Sequence, residues 1–209
     1  MSPVSPVSLN SARWLVALGV ASLAVAFVVP TAMAEDDDRF ERRGAIGVGY
    51  VYAASDYDHV PGQGGGNDGA SGFTIRMTYR FNQWIASHAR GDYVRGFDVR
   101  FLGDDVDADY GQGTIGVRVF PLAPLTEAFD DRVEPFLDAT GGIGHVTRNF
   151  QGAVSDEKEY GFAARFAAGA DIWLTDSIGV ELGAFYNLGT GELYDYSYYG
   201  GTGAVTYRF

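Results

Sequence analysis

From residue 44 onward the chain reads as all-β: an antiparallel up-and-down barrel of eight strands that crosses a membrane. Three observations predict it. Eight segments alternate large apolar side chains with small or polar ones, and in a strand such alternation puts each kind on its own face. The charges inside those segments gather on a single face, where Arg76, Arg80, Arg90, Arg118 and Arg165 are matched by Asp92, Asp138, Asp171 and Glu181. No apolar run after residue 34 is long enough to span a bilayer as a helix, and only a closed barrel lets strands cross with every backbone group paired. A lipid-facing Arg at mid-bilayer costs about 2–4 kcal/mol, so the charged face is the lumen. A soluble barrel with an apolar cavity has the opposite polarity and is disfavoured.

The beginning of the chain has a different character. Arg13 precedes an apolar run from Trp14 to Val29, and Pro30 leads into Ala32-Met33-Ala34. This is the pattern of a secretory signal peptide with Ala32 and Ala34 at the small-residue cleavage positions and Glu35 as the first mature residue. A membrane-anchoring helix needs about 20 apolar residues, more than this run offers. Cleavage takes the formal net charge from −12 to −13, since Arg13 is the only charge removed. An acidic chain without basic clusters excludes nucleic acid as a partner. The absence of Cys excludes disulfides, thiolate metal sites and a lipid-modified cysteine, while 29 Gly, 14 Phe and 13 Tyr suit strands and turns.

Residues 35–43 form a charged leader. Strand one carries Ile46, Val48, Tyr50 and Tyr52 on the lipid face, with Ala45, Gly47, Gly49 and Val51 inward. A Gly-rich loop, 54–71, precedes strand two (72–81), whose Phe73, Ile75, Met77, Tyr79 and Phe81 oppose Thr74, Arg76, Thr78 and Arg80. A turn at Asn82-Gln83 leads to strand three (84–94), with His88, Arg90 and Asp92 inward. The Asp-rich stretch 95–110 reads as a second long loop, although Phe97 to Leu102 could lengthen the neighbouring strands. Strand four (111–120) sends Ile115, Val117 and Val119 outward and Thr114, Arg118 and Phe120 inward until Pro121 ends it. Strand five (133–146) puts Leu137, Ala139 and Ile143 against Phe136, Asp138 and Thr140. After a polar loop, 147–159, strand six (160–174) sets Phe162, Phe166, Ile172 and Leu174 against Arg165, Asp171 and Trp173. The turn Thr175-Asp176-Ser177 leads to strand seven (178–188), with Ile178, Val180, Leu182, Ala184 and Tyr186 outward and Glu181, Phe185 and Asn187 inward. The inward charges require partners, and Glu181 is expected to pair with Arg165 on the adjacent strand or Arg118 across the lumen.

The last strand, 202–209, alternates Val205, Tyr207 and Phe209 against Ala204, Thr206 and Arg208 and ends on an aromatic residue. This pattern resembles the carboxy-terminal assembly signal of bacterial outer-membrane β-barrels. With the alternation of long and short connections, the whole of 44–209 resembles eight-stranded outer-membrane barrels of the protein A and protein X type, including opacity proteins. The resemblance implies a Gram-negative outer-membrane location with both termini in the periplasm. It also implies a monomer with outer-membrane lipid and lipopolysaccharide as partners, and barrel-assembly machinery and periplasmic chaperones as partners during biogenesis.

Motifs of chemical interest are few. Gly64-Gly66-Gly69 and Gly111-Gly113-Gly116 both match Gly-x-Gly-x-x-Gly, but a dinucleotide site needs that turn between strand and helix, and neither has a helix after it. Asp105, Asp107 and Asp109 have the spacing of a calcium loop's first ligands, yet Tyr110 and Gly116 stand where Gly and Glu are needed. The stretch reads as an acidic, well-hydrated loop, with a loose surface site for divalent cations as the alternative. The lipid A deacylase family carries His-x-Ser, approached here only by His145-Val146-Thr147, and Thr is a poor substitute nucleophile. His88 reads as a member of a luminal hydrogen-bond network, and His59 has no evident partner. No cofactor and no catalytic set is expected. The expected role is surface interaction or envelope integrity, with a lipid-modifying enzyme or a narrow conduit for small molecules as the alternatives.

Overall fold

The computed structural model of the chain describes residues 43–55, 69–101, 104–123, 132–149, 157–191, 193 and 197–209. The cleavage residues Ala32, Ala34 and Glu35, the leader up to residue 42, His59 and the glycines at 64 and 66 lie outside them. Eight antiparallel strands close on themselves in sequence order: β1 (Gly44–Ser55), β2 (Gly69–Arg80), β3 (Ile85–Phe101), β4 (Asp104–Val119), β5 (Val133–Asn149), β6 (Glu157–Trp173), β7 (Ile178–Gly191) and β8 (Tyr198–Arg208). Closure joins β8 to β1 from Ala45↔Arg208 to Ser55↔Tyr198, so neither strand keeps a free edge along that seam.

Side-chain alternation decides which way each strand faces. Val48, Tyr50, Phe73, Leu137, Phe162, Phe166, Leu182 and Val205 stand exposed on the outside, each about half accessible, while Arg76, Arg90, Arg118, Arg165 and Glu181 are buried inside. This polarity is the inverse of a water-soluble protein and fits a wall bathed in hydrocarbon. Within the lumen, β1 contributes only small inward residues, Gly47, Gly49, Val51 and Ala53, and leaves the space to the long side chains of the other strands. At Gly72 the packing permits nothing larger, because a Cβ there would stand 1.8 Å from the Tyr93 carbonyl oxygen.

The short connections are built by side chains the sequence supplies. Asn82 Oδ1 accepts from the amides of Trp84 and Ile85 at 2.8 and 2.9 Å, and Thr175 Oγ1 accepts from Ser177 and Ile178 at 3.3 and 2.9 Å. These are local side-chain turns of the kind that Asn and Thr favour.

One expectation is corrected. Residues 95–110 are not a long loop: β3 continues to Phe101 and β4 begins at Asp104, paired through Asp98↔Asp107 and Phe101↔Asp104. A register shift between Val94 and Phe97, with Gly96 at φ +83°, redirects β3 by a bulge and lets pairing resume. Asp is a poor strand former, which hid the hairpin. Here β4 is paired on both sides, by β3 and by β5 through Asp107↔Asn149 and Asp109↔Thr147, and the doubled backbone pairing overrides the local preference. Likewise β5 runs on to Asn149 and β6 starts at Glu157.

Candidate functional site

The lumen has an ionic storey and an apolar one. The ionic storey centres on Arg118 of β4. Its guanidinium donates to both oxygens of Asp138 on β5, from Nε at 2.7 Å and from Nη2 at 2.8 Å. It also donates from Nη1 to Asp171 Oδ2 at 2.9 Å and from Nη2 to Glu181 Oε2 at 2.7 Å. The plane of the same group lies over the Phe136 ring, 3.6 Å from its centroid, a favourable stacking of cation on π-face. Four strands are tied by this one side chain. Arg76 of β2 donates to Asp171 Oδ1 at 2.9 Å and contacts Thr206 Oγ1 and Glu181. Arg90 of β3 donates from Nε to Thr74 Oγ1 at 2.9 Å and from Nη2 to Glu181 Oε1 at 3.3 Å, and its Nε lies 3.2 Å from Asp92 Oδ1.

Glu181 therefore faces three guanidinium groups, Arg76, Arg90 and Arg118. Of the two partners expected for it, Arg118 is one. Arg165, although on the adjacent strand β6, turns to Asp92 at 3.0 Å and stacks over Phe185 at 3.6 Å. The register explains the choice: Arg165 pairs with Asn187 and Glu181 with Asp171, six residues apart along β7, too far for one side chain to bridge.

At the end of the barrel that carries the short turns, a second cluster surrounds Glu134. Arg80 donates to Glu134 Oε1 at 2.7 Å, Trp173 Nε1 donates to Oε2 at 3.0 Å, and Arg208 Nη1 lies 3.9 Å from Oε1. Arg80 covers the Phe120 ring at 3.9 Å and Arg208 covers Trp173 at 4.1 Å. Glu134 was not singled out in the sequence, though it shares the inward parity of Phe136 and Asp138 and could have been found by counting in twos from them.

The remaining motifs separate. His88 is buried, with Nδ1 3.0 Å from Thr78 Oγ1 and Nε2 3.8 Å from Asp138 Oδ2. His145 lies on the outer face, its ring near Tyr160 with centroids 6.0 Å apart, so the two described histidines stand on opposite sides of the wall. Gly111, Gly113 and Gly116 lie inside β4, which continues as strand to Val119 instead of opening a helix. Asp105, Asp107 and Asp109 belong to an extended paired strand, which cannot wrap around an ion as a calcium loop does. Among the described residues no group of three or more His, Asp or Glu could hold a metal.

The closing strand presents Val205, Tyr207 and Phe209 outward, each more than half exposed. Tyr207 and Phe209 stack at 6.3 Å, and Phe209 exchanges backbone hydrogen bonds with Gly44, its N–H donating at 2.8 Å and its carbonyl accepting at 3.1 Å. Its ring also occupies the space beside Gly44 that a Cβ would need.

No family model matches the chain, and no curated protein does. Solved structures do. Ail, the attachment invasion locus protein of Yersinia pestis, superposes with a TM-score of 0.56 at 19% identity, covering 81% of this chain and 99% of that one. Neisserial surface protein A gives 0.54 at 14% identity, covering 79% and 95%. OprG, an outer-membrane protein of Pseudomonas aeruginosa, gives 0.50 at 13% identity, covering 80% and 97%. The described chain is thus a closed eight-stranded antiparallel barrel with the fold of bacterial outer-membrane proteins.

Proposed function

We propose that the chain is a non-catalytic outer-membrane barrel that works as a surface-interaction protein through a raised wall formed by β3 to β6. One observation carries this reading: these strands are much longer than a membrane needs. A tilted strand crosses in about 9–11 residues, whereas β3, β5 and β6 have 17 residues each and β4 has 16. Their surplus lies at one end. The pairing of β2 with β3 stops at Ser71↔Arg95, and that of β6 with β7 stops at Gly161↔Gly191. Among the described residues, beyond those points β3, β4, β5 and β6 pair only with one another, as a four-stranded sheet that extends about 12 Å past the last pairs with β2 and β7, taking roughly five residues at 3.3 Å and a tilt near 40°. With the charged face sealed inside, the wall and the connections beside it are the parts left to meet a partner.

Charge narrows the partner. Residues 95–109 and 146–160 hold eight acids and four bases, so a cationic or neutral partner suits the wall better than a polyanion. Ail has been solved with a heparin analogue, and the acidic wall argues for a different class of partner here. The barrel is placed in the outer membrane with the turn end and both termini on the periplasmic side, supported by the exposed apolar exterior and by the short turns that share that end. The partners proposed for assembly are the barrel-assembly machinery and periplasmic chaperones.

The test trims the wall while keeping the barrel: residues 97–107 are replaced by a short Asn-Gly turn, and the hairpin of β5 and β6 is shortened to match. Cells displaying either form are then offered surfaces coated with polylysine or with heparin. Retention on polylysine by the intact form alone, with both forms giving a heat-modifiable barrel, supports the proposal. Equal retention of the two forms, or a changed lipid profile in a deletion strain, counts against it and favours a lipid-modifying role.

A further inference from the structure

At the end that carries the short turns, the lumen closes on a cluster with more positive than negative charge. Arg80 and Arg208 both address Glu134, at 2.7 and 3.9 Å, so two guanidinium groups share that carboxylate. Each also stacks on an aromatic ring, Arg80 on Phe120 and Arg208 on Trp173. The stacking holds both charges at the mouth and leaves the Arg208 side chain a quarter exposed. The ionic storey deeper in the lumen differs, since its buried Arg and buried acids are equal in number.

The chain enters the barrel between these two groups. Strand β1 lies between β2 and β8: Gly44 pairs with Tyr79, the neighbour of Arg80, and Ala45 pairs with Arg208. The Arg80 amide donates to the Arg43 carbonyl at 2.9 Å, so the segment before residue 43 departs from the mouth itself. Its composition complements the cluster. Residues 36–42 carry Asp36, Asp37, Asp38 and Glu41 against Arg39 and Arg42. The three consecutive aspartates stand five to seven residues before Arg43, within about 17–25 Å of extended chain. A tether that short keeps acids and bases at a millimolar effective concentration.

We propose that the acidic segment 36–38 docks on the cationic mouth, its carboxylates pairing with Arg208 and Arg80 beside Trp173. A single exposed ion pair contributes little in water, and this contact is sustained by several charges acting together on a short tether. It lies at the opposite end of the barrel from the raised wall and is independent of the role proposed for it.

The test uses the mature chain refolded in detergent micelles. The sequence has no Cys, so Asp36→Cys gives one attachment point for a nitroxide. The indole N–H of Trp173, which donates to Glu134 Oε2 at 3.0 Å, reports from the mouth by NMR. At low salt the oxidised nitroxide should cut the Trp173 indole signal by at least half relative to the reduced label. Adding Asp37→Asn, Asp38→Asn and Glu41→Gln, which change no described residue of the barrel, should restore the signal. Raising the salt from about 0.01 M to 1 M, which shortens the Debye length from about 30 to 3 Å, should restore it too. Full Trp173 intensity with the native leader, or a loss that persists with the neutralised leader or at high salt, overturns the proposal.

Discussion

Replacing Glu181 by Ala tests how the lumen is held shut. Glu181 is fully buried and accepts from Arg118 at 2.7 Å and from Arg90 at 3.3 Å, with Arg76 in contact. Truncation leaves four buried Arg facing three buried acids, in a space where charge cannot be hydrated. Removing one partner of a buried ion pair costs about 3–5 kcal/mol. The loss here belongs at the lower end, about 3 kcal/mol, because each Arg keeps another acid: Arg118 keeps Asp138 and Asp171, Arg76 keeps Asp171, and Arg90 keeps Asp92. Adding Arg76→Met restores neutrality. The double variant should then be more stable than the sum of the singles by about 1 kcal/mol or more, as expected for groups in one network. Urea unfolding of the refolded barrel, followed by the fluorescence of Trp84 and the luminal Trp173, measures both quantities through the midpoint and slope. A loss under about 1 kcal/mol for Glu181→Ala, or strict additivity of the pair, would refute a lumen held by a shared, desolvated charge network.

Five further outcomes follow, four from the same geometry and the last from the sequence. Deleting Phe209, or replacing it with Asp, removes the backbone pair to Gly44 and the outward aromatic at the seam; the variant should accumulate as a periplasmic species without a heat-modifiable form on gels. Gly72→Ala should destabilise by about 1–3 kcal/mol, the usual penalty of forced overpacking, since its Cβ would strike the Tyr93 carbonyl. Gly113→Ala, with nothing within 4 Å of the new Cβ, should be neutral or slightly stabilising in the same urea assay. Planar-bilayer recording of the purified protein should give no large, stable conductance steps, because Arg118, Phe136, Phe185 and Trp173 fill an eight-stranded lumen that has room for side chains and little else. Intact mass of membrane-extracted protein should correspond to a chain beginning at Glu35, the residue after the small-residue cleavage positions.

Strand number, strand direction and inside-outside polarity were legible because they depend on a local property, the alternation of neighbouring side chains. The inward parity of Arg76, Arg90, Asp92, Arg118, Asp138, Arg165, Asp171 and Glu181 can be read from each strand alone, and so can the turns at Asn82 and Thr175, where one side chain caps its own backbone. The heights of β3 to β6 were legible only where Phe97 to Leu102 hinted at longer strands. Asp104 to Asp109 look like loop by composition, and only pairing with β3, joined from Asp107 on by β5, makes them strand, a gain of hydrogen bonds invisible to any window of one segment. The partners of most charges were equally hidden, the Arg118–Glu181 pair across the lumen being the exception. That Arg165 goes to Asp92 across the lumen and not to Glu181 on the next strand depends on the register of β6 against β7 and on the closure of β8 onto β1. Alternation fixes which face a side chain takes, and barrel closure fixes which distant side chain it meets there.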